Sequence, residues 1–307
     1  MLPRYLRVVT TPRCSLKCSY CHEEGDPGRG PGPDRELIVE VTRAAHAMGV
    51  RKVKLLGGEP LLRGDLPELV SDLAHLPGID LSLITGGVAP ISRLEACFEA
   101  GLQRANMSIH GWSLAAFRAR TARGEAAWRL RDHTLGRLLE RGRPLKLNYV
   151  YTGPGDEGDL GGLLDHCAPL PVVVNVLDDL DNPLLDHRVL ERRLIAMRGP
   201  LETARVEPDP LSLPTRRLCW ADGLEVEVKD HQLGALAPWR ACAGCPKKQR
   251  CREGIHALRL GQDGRLRTCM DRPDLGVALA PILEAGGPAA LSAAVRRFVV
   301  GHARTAA

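Results

Sequence analysis

Tyr5-Leu-Arg-Val-Val-Thr-Thr-Pro-Arg-Cys14-Ser-Leu-Lys-Cys18-Ser-Tyr-Cys21 joins a β-branched, alternating run to three closely spaced cysteines. The run Tyr5 to Thr10 reads as a strand. Five more follow at Lys52 to Leu56, Leu81 to Thr85, Arg104 to Ile109, Lys146 to Tyr151 and Val172 to Val176. Between them, Asp34 to Met48, Leu66 to Leu76, Ala126 to Glu140 and Leu184 to Met197 carry helical apolar spacing. Asp34 is suited to cap the first of these helices and Gly49 to end it. Strands alternating with helices predict right-handed βα units and a parallel sheet, open or curled into part of a barrel. Catalytic groups on such sheets gather at the C-terminal ends of the strands, which is where the cysteines fall.

Two segments interrupt the rhythm. Glu24 to Asp34 holds Gly25, Pro27, Gly28, Gly30, Pro31, Gly32 and Pro33, too many breakers for a helix, and reads as a flexible active-site loop. Val206 to Pro214, with Pro208 and Pro210, reads as a linker, so residues 1–204 are expected to form the α/β unit and 205–307 a second, cysteine-rich domain. Charge narrows the partners. A net charge of +5 over 307 residues with 4% aromatics argues against a nucleic-acid polymer as ligand and leaves a small molecule. No apolar stretch is long enough for a signal peptide or a membrane span, so a cytoplasmic location without membrane contact is expected.

Ten cysteines in a reducing compartment point to metal binding rather than disulfides. Cys14, Cys18 and Cys21 supply three thiolates on one loop, enough for three irons of a 4Fe-4S cube, with the fourth iron left open. A zinc knuckle needs a fourth ligand, and nearby only His22 offers one. The second strand ends in Gly57-Gly58-Glu59-Pro60, where two glycines permit close approach of a ligand and Glu59 is an acceptor. His110, at the end of the fourth strand, either faces the substrate as a hydrogen-bonding or proton-transfer group or faces solvent. Cys97 and Cys167 lie in apolar helical surroundings and read as packed thiols, while Cys219 beside Trp220 stays open between core and ligand.

Cys14-x3-Cys18-x2-Cys21 with Tyr20 before the last cysteine, together with Gly57-Gly58-Glu59-Pro60, resembles the radical S-adenosylmethionine (SAM) superfamily. That resemblance implies a partial (βα)6 TIM-type barrel, SAM chelated by the open iron, and reductive cleavage to a 5'-deoxyadenosyl radical that abstracts a substrate hydrogen. It implies that Gly57, Gly58 and Glu59 bind the SAM amino group, that Tyr20 lines the cofactor site, and that an electron donor such as flavodoxin or ferredoxin reduces the cluster. Leu6 to Thr10, Cys21 to Gly25, Gly57 to Leu66 and Lys146 to Asn148 further resemble the GTP 3',8-cyclase family of molybdenum-cofactor biosynthesis. By that likeness Thr85, Ser108, Lys146 and Asn148 contact SAM, and Arg7, Lys52 and Lys54 lie near substrate phosphates.

Cys242-x2-Cys245-x5-Cys251 and Cys269 suit a four-thiolate site of zinc or 4Fe-4S. Leu258 to Arg267 reads as two short strands around an Asp263-Gly264 turn, which returns Cys269 toward Cys251. The pattern resembles the SPASM/twitch domains of radical SAM enzymes, which implies an auxiliary 4Fe-4S cluster. Cyclases use three cysteines here and an arginine pair where this chain has Ala257 and Arg259. A divergent relative is therefore expected, acting on a different and less highly charged small molecule, a nucleoside, nucleotide or sugar. A peptide-modifying enzyme, a true GTP 3',8-cyclase and a non-catalytic metal scaffold are the alternatives.

Overall fold

The computed structural model describes residues 4–25, 31–179, 187–207, 214–229, 240–246, 257–270, 272 and 274–303. The six expected strands form as β1 (Tyr5–Val9), β2 (Lys52–Leu56), β3 (Asp80–Thr85), β4 (Arg104–Ser108), β5 (Leu145–Tyr151) and β6 (Val173–Asp178). Between and after them run α1 (Arg35–Ala47), α2 (Leu66–Ala74), α3 (Ile91–Glu99), α4 (Leu114–Thr121), α5 (Glu125–Glu140), α6 (Glu157–Cys167) and α7 (His187–Arg198). Asp34 caps α1 as expected, its carboxylate accepting the Leu37 amide at 2.7 Å.

Later residues add β7 (Thr203–Glu207), β8 (Thr215–Cys219), β9 (Glu225–Lys229), β10 (Ala257–Leu260), β11 (Arg265–Arg267), β12 (Gly276–Ala278) and α8 (Ala280–His302). All strands share one sheet in the order β12-β11-β10-β1-β2-β3-β4-β5-β6-β9-β8-β7. From β10 across to β9 every neighbouring pair is parallel, and the outer pairs are antiparallel. The strands beyond residue 205 thus extend both edges of the βα sheet. Where the sequence suggests a linker from Val206, the chain first completes β7, hydrogen-bonded to β8; residues 208–213 lie outside the described residues.

The sheet has two unlike faces. Leu6, Val8, Val53, Leu55, Leu81, Leu83, Ala105, Met107, Leu147, Val174, Val176, Val226 and Val228 join apolar residues of the helices in one continuous core. The alternate positions, Arg7, Lys54, Ser82, Arg104, Lys146, Asn148, Asn175 and Glu227, belong to the other face. Helices gathered on one face are what right-handed crossovers between sequential neighbours produce, and they curl the sheet around its polar side. This is the α/β parallel-sheet architecture expected of a partial barrel. The α8 helix packs on α1 and closes the core with Leu291, Val295 and Val299. Among the described residues, no helix is long and apolar enough to cross a membrane.

Candidate functional site

The cysteine loop leaves β1 at Thr10, whose amide and hydroxyl both donate to the Leu56 carbonyl, at 2.7 and 3.0 Å. It is then sewn to the end of α4. The Lys17 amide donates to Thr121 O at 3.1 Å, the Ser19 amide to Arg120 O at 2.9 Å, and Arg123 donates to Ser15 O. Beneath it Leu16 packs with Val88 and Phe117 in a small cluster of its own. Burial and the neighbouring charges of Cys21 and Cys14 push the Cys18 thiol up to about 12, and burial raises Cys14. Thiols so crowded ionise only against a strong positive partner, and an iron centre supplies one. Among the described residues, no three His, Cys, Asp or Glu side chains converge as one metal ion requires.

The turn after β2 is pressed against this loop. The Gly58 amide donates to Thr11 O at 2.8 Å and the Glu59 amide to Arg13 O at 2.7 Å. Gly57 takes φ +151°, and a Cβ there would lie 2.5 Å from Thr11 O; one on Gly58 would lie 2.2 Å from Arg13 O. Both amides are consumed by the loop, which fixes the turn against the cysteines. Glu59 is buried, and its carboxylate accepts Thr85 Oγ1 at 2.7 Å, the Gly86 amide at 2.8 Å and the Leu61 amide at 3.2 Å. The Thr85 hydroxyl in turn accepts the Gly87 amide at 2.9 Å. Glu59 and Thr85 thus lock the end of β2 to the end of β3 with groups already committed within the protein.

His110 faces this arrangement rather than open solvent. Its Nδ1 lies 2.8 Å from the Tyr20 hydroxyl and 3.5 Å from Cys18 Sγ, and its Nε2 is 3.4 Å from where a Gly86 Cβ would sit. Burial, with Arg131 and Arg120 nearby, pushes His110 down to about 4, and burial raises Tyr20 above its usual value. The phenol and a neutral imidazole thus share one hydrogen bond. Residues the sequence did not single out hold this segment. The buried Arg131 of α5 donates to the Gly111 and Trp112 carbonyls at 2.8 and 3.2 Å, and Asp159 of α6 accepts the Trp112 and Ser113 amides, each at 2.7 Å.

The polar face of the sheet carries the charges. Burial pushes Lys54 well below the usual lysine value, reinforced by Arg7, Lys52, Arg104 and Lys146. Lys146 lies three strands from Lys54, and its influence fits the curl of the sheet. The Tyr5 ring sits within 5.6–5.9 Å of Arg7, Lys52 and Lys54. Opposing carboxylates include Glu24, held by Arg7 and Arg259, Glu227, held by Lys146 and by Arg217 at 2.7 Å, and Asp80, which takes Arg104 at 3.3 Å. Although burial works the other way, these cations keep Glu24 well below the usual carboxylate range and lower Glu227. Asn148 Oδ1 accepts from Asn175 at 2.9 Å, and Ser108 stands in register with Asn148. Glu225-Val-Glu227-Val-Lys229 alternates as a strand should.

In the C-terminal cysteine region, β10 and β11 form the expected hairpin, with Gly264 at φ +69° in its turn. Cys269 follows it. Arg272 is raised chiefly by its bond to Asp274, with Cys245 and Cys269 both contributing, so these two thiols share one neighbourhood. Cys242 packs against the core, and Cys251 lies outside the described residues. Cys219 stands in β8, paired with Thr203 and Glu225 at the other side of the sheet. Cys97 and Cys167 are buried core thiols.

Residues 8–166, more than half of the chain, match the radical SAM superfamily. A protein of Methanococcus maripaludis (strain C6) named "Probable GTP 3',8-cyclase" is 27% identical over 279 residues, 88% of this chain and 86% of that one. Another of the same name from Archaeoglobus fulgidus is 35% identical over 161 residues, 52% of this chain and 53% of its own. Among solved structures, Streptococcus suis SuiB bound to precursor peptide SuiA superposes with a TM-score of 0.64 at 17% identity over 88% of this chain. This chain spans 60% of the SuiB chain, and at that identity the likeness is one of fold. The superfamily match runs from β1 into α6 and takes in the cysteine loop with the strand ends around it; the chain accordingly belongs to the radical SAM superfamily, enzymes that work with S-adenosylmethionine and a 4Fe-4S cluster.

Proposed function

We propose that this enzyme abstracts hydrogen from a small, phosphate-bearing substrate of the nucleotide class, bound on the cationic face of the curled sheet. The observation that carries this reading is Lys54, buried within reach of Arg7, Lys52, Arg104 and Lys146. So many cations on one concave surface are an anion site in physical terms. SAM and the cluster together supply a 5'-deoxyadenosyl radical. In this reading Cys14, Cys18 and Cys21 hold the cluster. The Gly57 and Gly58 turn receives the SAM ammonium, Glu59 and Thr85 brace that turn, and Arg7, Lys52, Lys54, Lys146 and Arg259 orient the substrate. Cys242, Cys245, Cys251 and Cys269 hold an auxiliary 4Fe-4S cluster, and a flavodoxin or ferredoxin delivers the electron. Product formation then follows as cyclisation, rearrangement or bond formation.

The test offers deuterated guanosine and its phosphates, GTP included, to the anaerobic, reduced enzyme with SAM. Deuterium in 5'-deoxyadenosine is expected from a phosphorylated nucleoside; label only from uncharged nucleosides or peptides overturns the reading. Lys146→Met, which leaves Glu227 with Arg217, should raise KM for the labelled nucleotide about tenfold or more, the loss of one charged contact. An unchanged KM would remove Lys146 from the site. Reconstituted protein should carry about eight irons; about four irons together with zinc would replace the auxiliary cluster with a zinc site.

The depressed Lys54 supplies a second test. An ammonium whose pKa is lowered by like charges regains its proton when an anion arrives, because the anion favours the charged form. Nucleotide binding should therefore take up protons over the pH range in which Lys54 titrates in the free protein, seen as a calorimetric enthalpy that varies with the buffer's ionisation enthalpy. Lys54→Met should flatten that dependence. Equal dependence in both proteins would assign the uptake elsewhere.

A further inference from the structure

Glu24 is a carboxylate on the cationic face that comes from neither a strand nor the cofactor machinery. It stands three residues beyond Cys21, in the 3-10 turn Glu23–Gly25. Its carboxylate takes Arg7 in the forked manner, with Arg7 Nε at 2.8 Å from Oε2 and Arg7 Nη2 on Oε1, and Arg259 also donates to Oε2. Arg7 and Arg259 are register partners across β1 and β10, so the two guanidiniums are presented side by side. The Glu24 side chain is only 10% exposed. Its backbone adopts φ 58°, and Glu23 before it φ 48°. Non-glycine residues seldom hold left-handed conformations, because the Cβ crowds the following carbonyl. Two in succession bring the carboxylate inward against local preference.

We infer that Glu24 is the chain's own competitor for the anion site and sets its selectivity by charge. This inference rests on the anion-site reading under Proposed function. A fork–fork pair is the geometry with which arginine takes a carboxylate or a phosphate. While Glu24 keeps its place, a phosphate approaching Arg7 and Arg259 meets a fixed negative charge among the positive ones. Coulomb repulsion grows with the charge brought in, so a polyphosphate is disfavoured more than a monophosphate, and an uncharged nucleoside is unaffected. Glu24 thereby acts as a specificity-determining residue, and among phosphorylated substrates the site favours a monophosphate over a polyphosphate despite the number of its cations.

The experiment measures calorimetric binding of guanosine, GMP and GTP to the anaerobically reconstituted enzyme and to Glu24→Gln. Glu24→Gln should tighten GTP at least about tenfold, GMP by less, and guanosine not at all. Glu24→Asp, which keeps the charge, should retain the wild-type order. Equal changes for all three ligands, or weaker GTP binding in Glu24→Gln, would overturn the inference. Glu24→Ala carries the same test should the glutamine variant fail to load iron. Failure of both to load iron while Glu24→Asp loads normally would make Glu24 a structural brace and also overturn it. The parent reading is separable: GTP binding lost in Lys146→Met with no gain in Glu24→Gln defeats only this inference, whereas identical binding of all three ligands to wild type and Lys146→Met defeats the anion site itself.

Discussion

Alanine at Cys18 is expected to reduce 5'-deoxyadenosine release from SAM to background, a loss of at least about a thousandfold, and to remove about four irons per chain. Cys18 is the middle thiol of the loop, facing His110 and Tyr20, while the loop backbone is held by Arg120, Thr121 and Arg123 of α4 and its end. Those tethers do not involve the sulfur. The variant should therefore keep its fold and its thermal midpoint while losing the cluster, so the effect reads on chemistry rather than stability. Cys97→Ala is the matched control. That thiol is buried in the helix–sheet core, and its loss should lower stability by about 1 kcal/mol while SAM cleavage persists. Normal turnover by Cys18→Ala would move the catalytic cluster off this loop.

The second large effect is expected at Gly58. A methyl group there would lie 2.2 Å from Arg13 O and 2.5 Å from Arg13 C, backbone atoms with no rotamer to yield. Relief requires the turn after β2 and the cysteine loop to part, which breaks the Gly58 and Glu59 amide bonds to Thr11 and Arg13. Those bonds set the distance between the turn and the cluster loop. A displacement near 1 Å at a catalytic constellation costs on the order of a hundredfold in rate, and overpacking costs about 1–3 kcal/mol. Gly58→Ala should thus lower SAM cleavage at least about a hundredfold and reduce the thermal midpoint, with the iron ligands chemically intact. Wild-type cleavage by this variant would show that the turn does not position SAM.

Much of this architecture was legible because alternation and β-branching mark strands independently of their partners. Lys52 to Leu56, for example, forms with its expected bounds. Of the helices that escaped notice, two did so for identifiable reasons. In α4, Leu114 to Thr121 shows no clear apolar stripe, and α6 carries Gly158, Gly161 and Gly162, which read as breakers. Gly162 has a tertiary reason: a Cβ there would lie 2.9 Å from Trp112 Cδ1, so the glycine makes room for the ring. At the site, local spacing revealed the cysteines and the Gly57-Gly58 turn. It could not reveal that the Glu59 and Thr85 groups bond to each other, nor that Glu24 reaches Arg259 across 235 positions of sequence. Such pairings follow from register and curvature, which no short window contains.

The pairing of β1 with β10 bears on how the molecule is made. Tyr5 finds its partner Ala257 about 250 residues later in the chain. At translation rates of about 5–20 residues per second, the outer edge of β1 waits roughly 10–50 seconds for its neighbour to emerge from the ribosome. An unpaired parallel edge is a template for wrong partners, and contacts this distant in sequence slow folding. Arg7 stands on that edge. Its charge, together with that of Arg4 nearby in sequence, discourages intermolecular strand addition while the nascent sheet is incomplete.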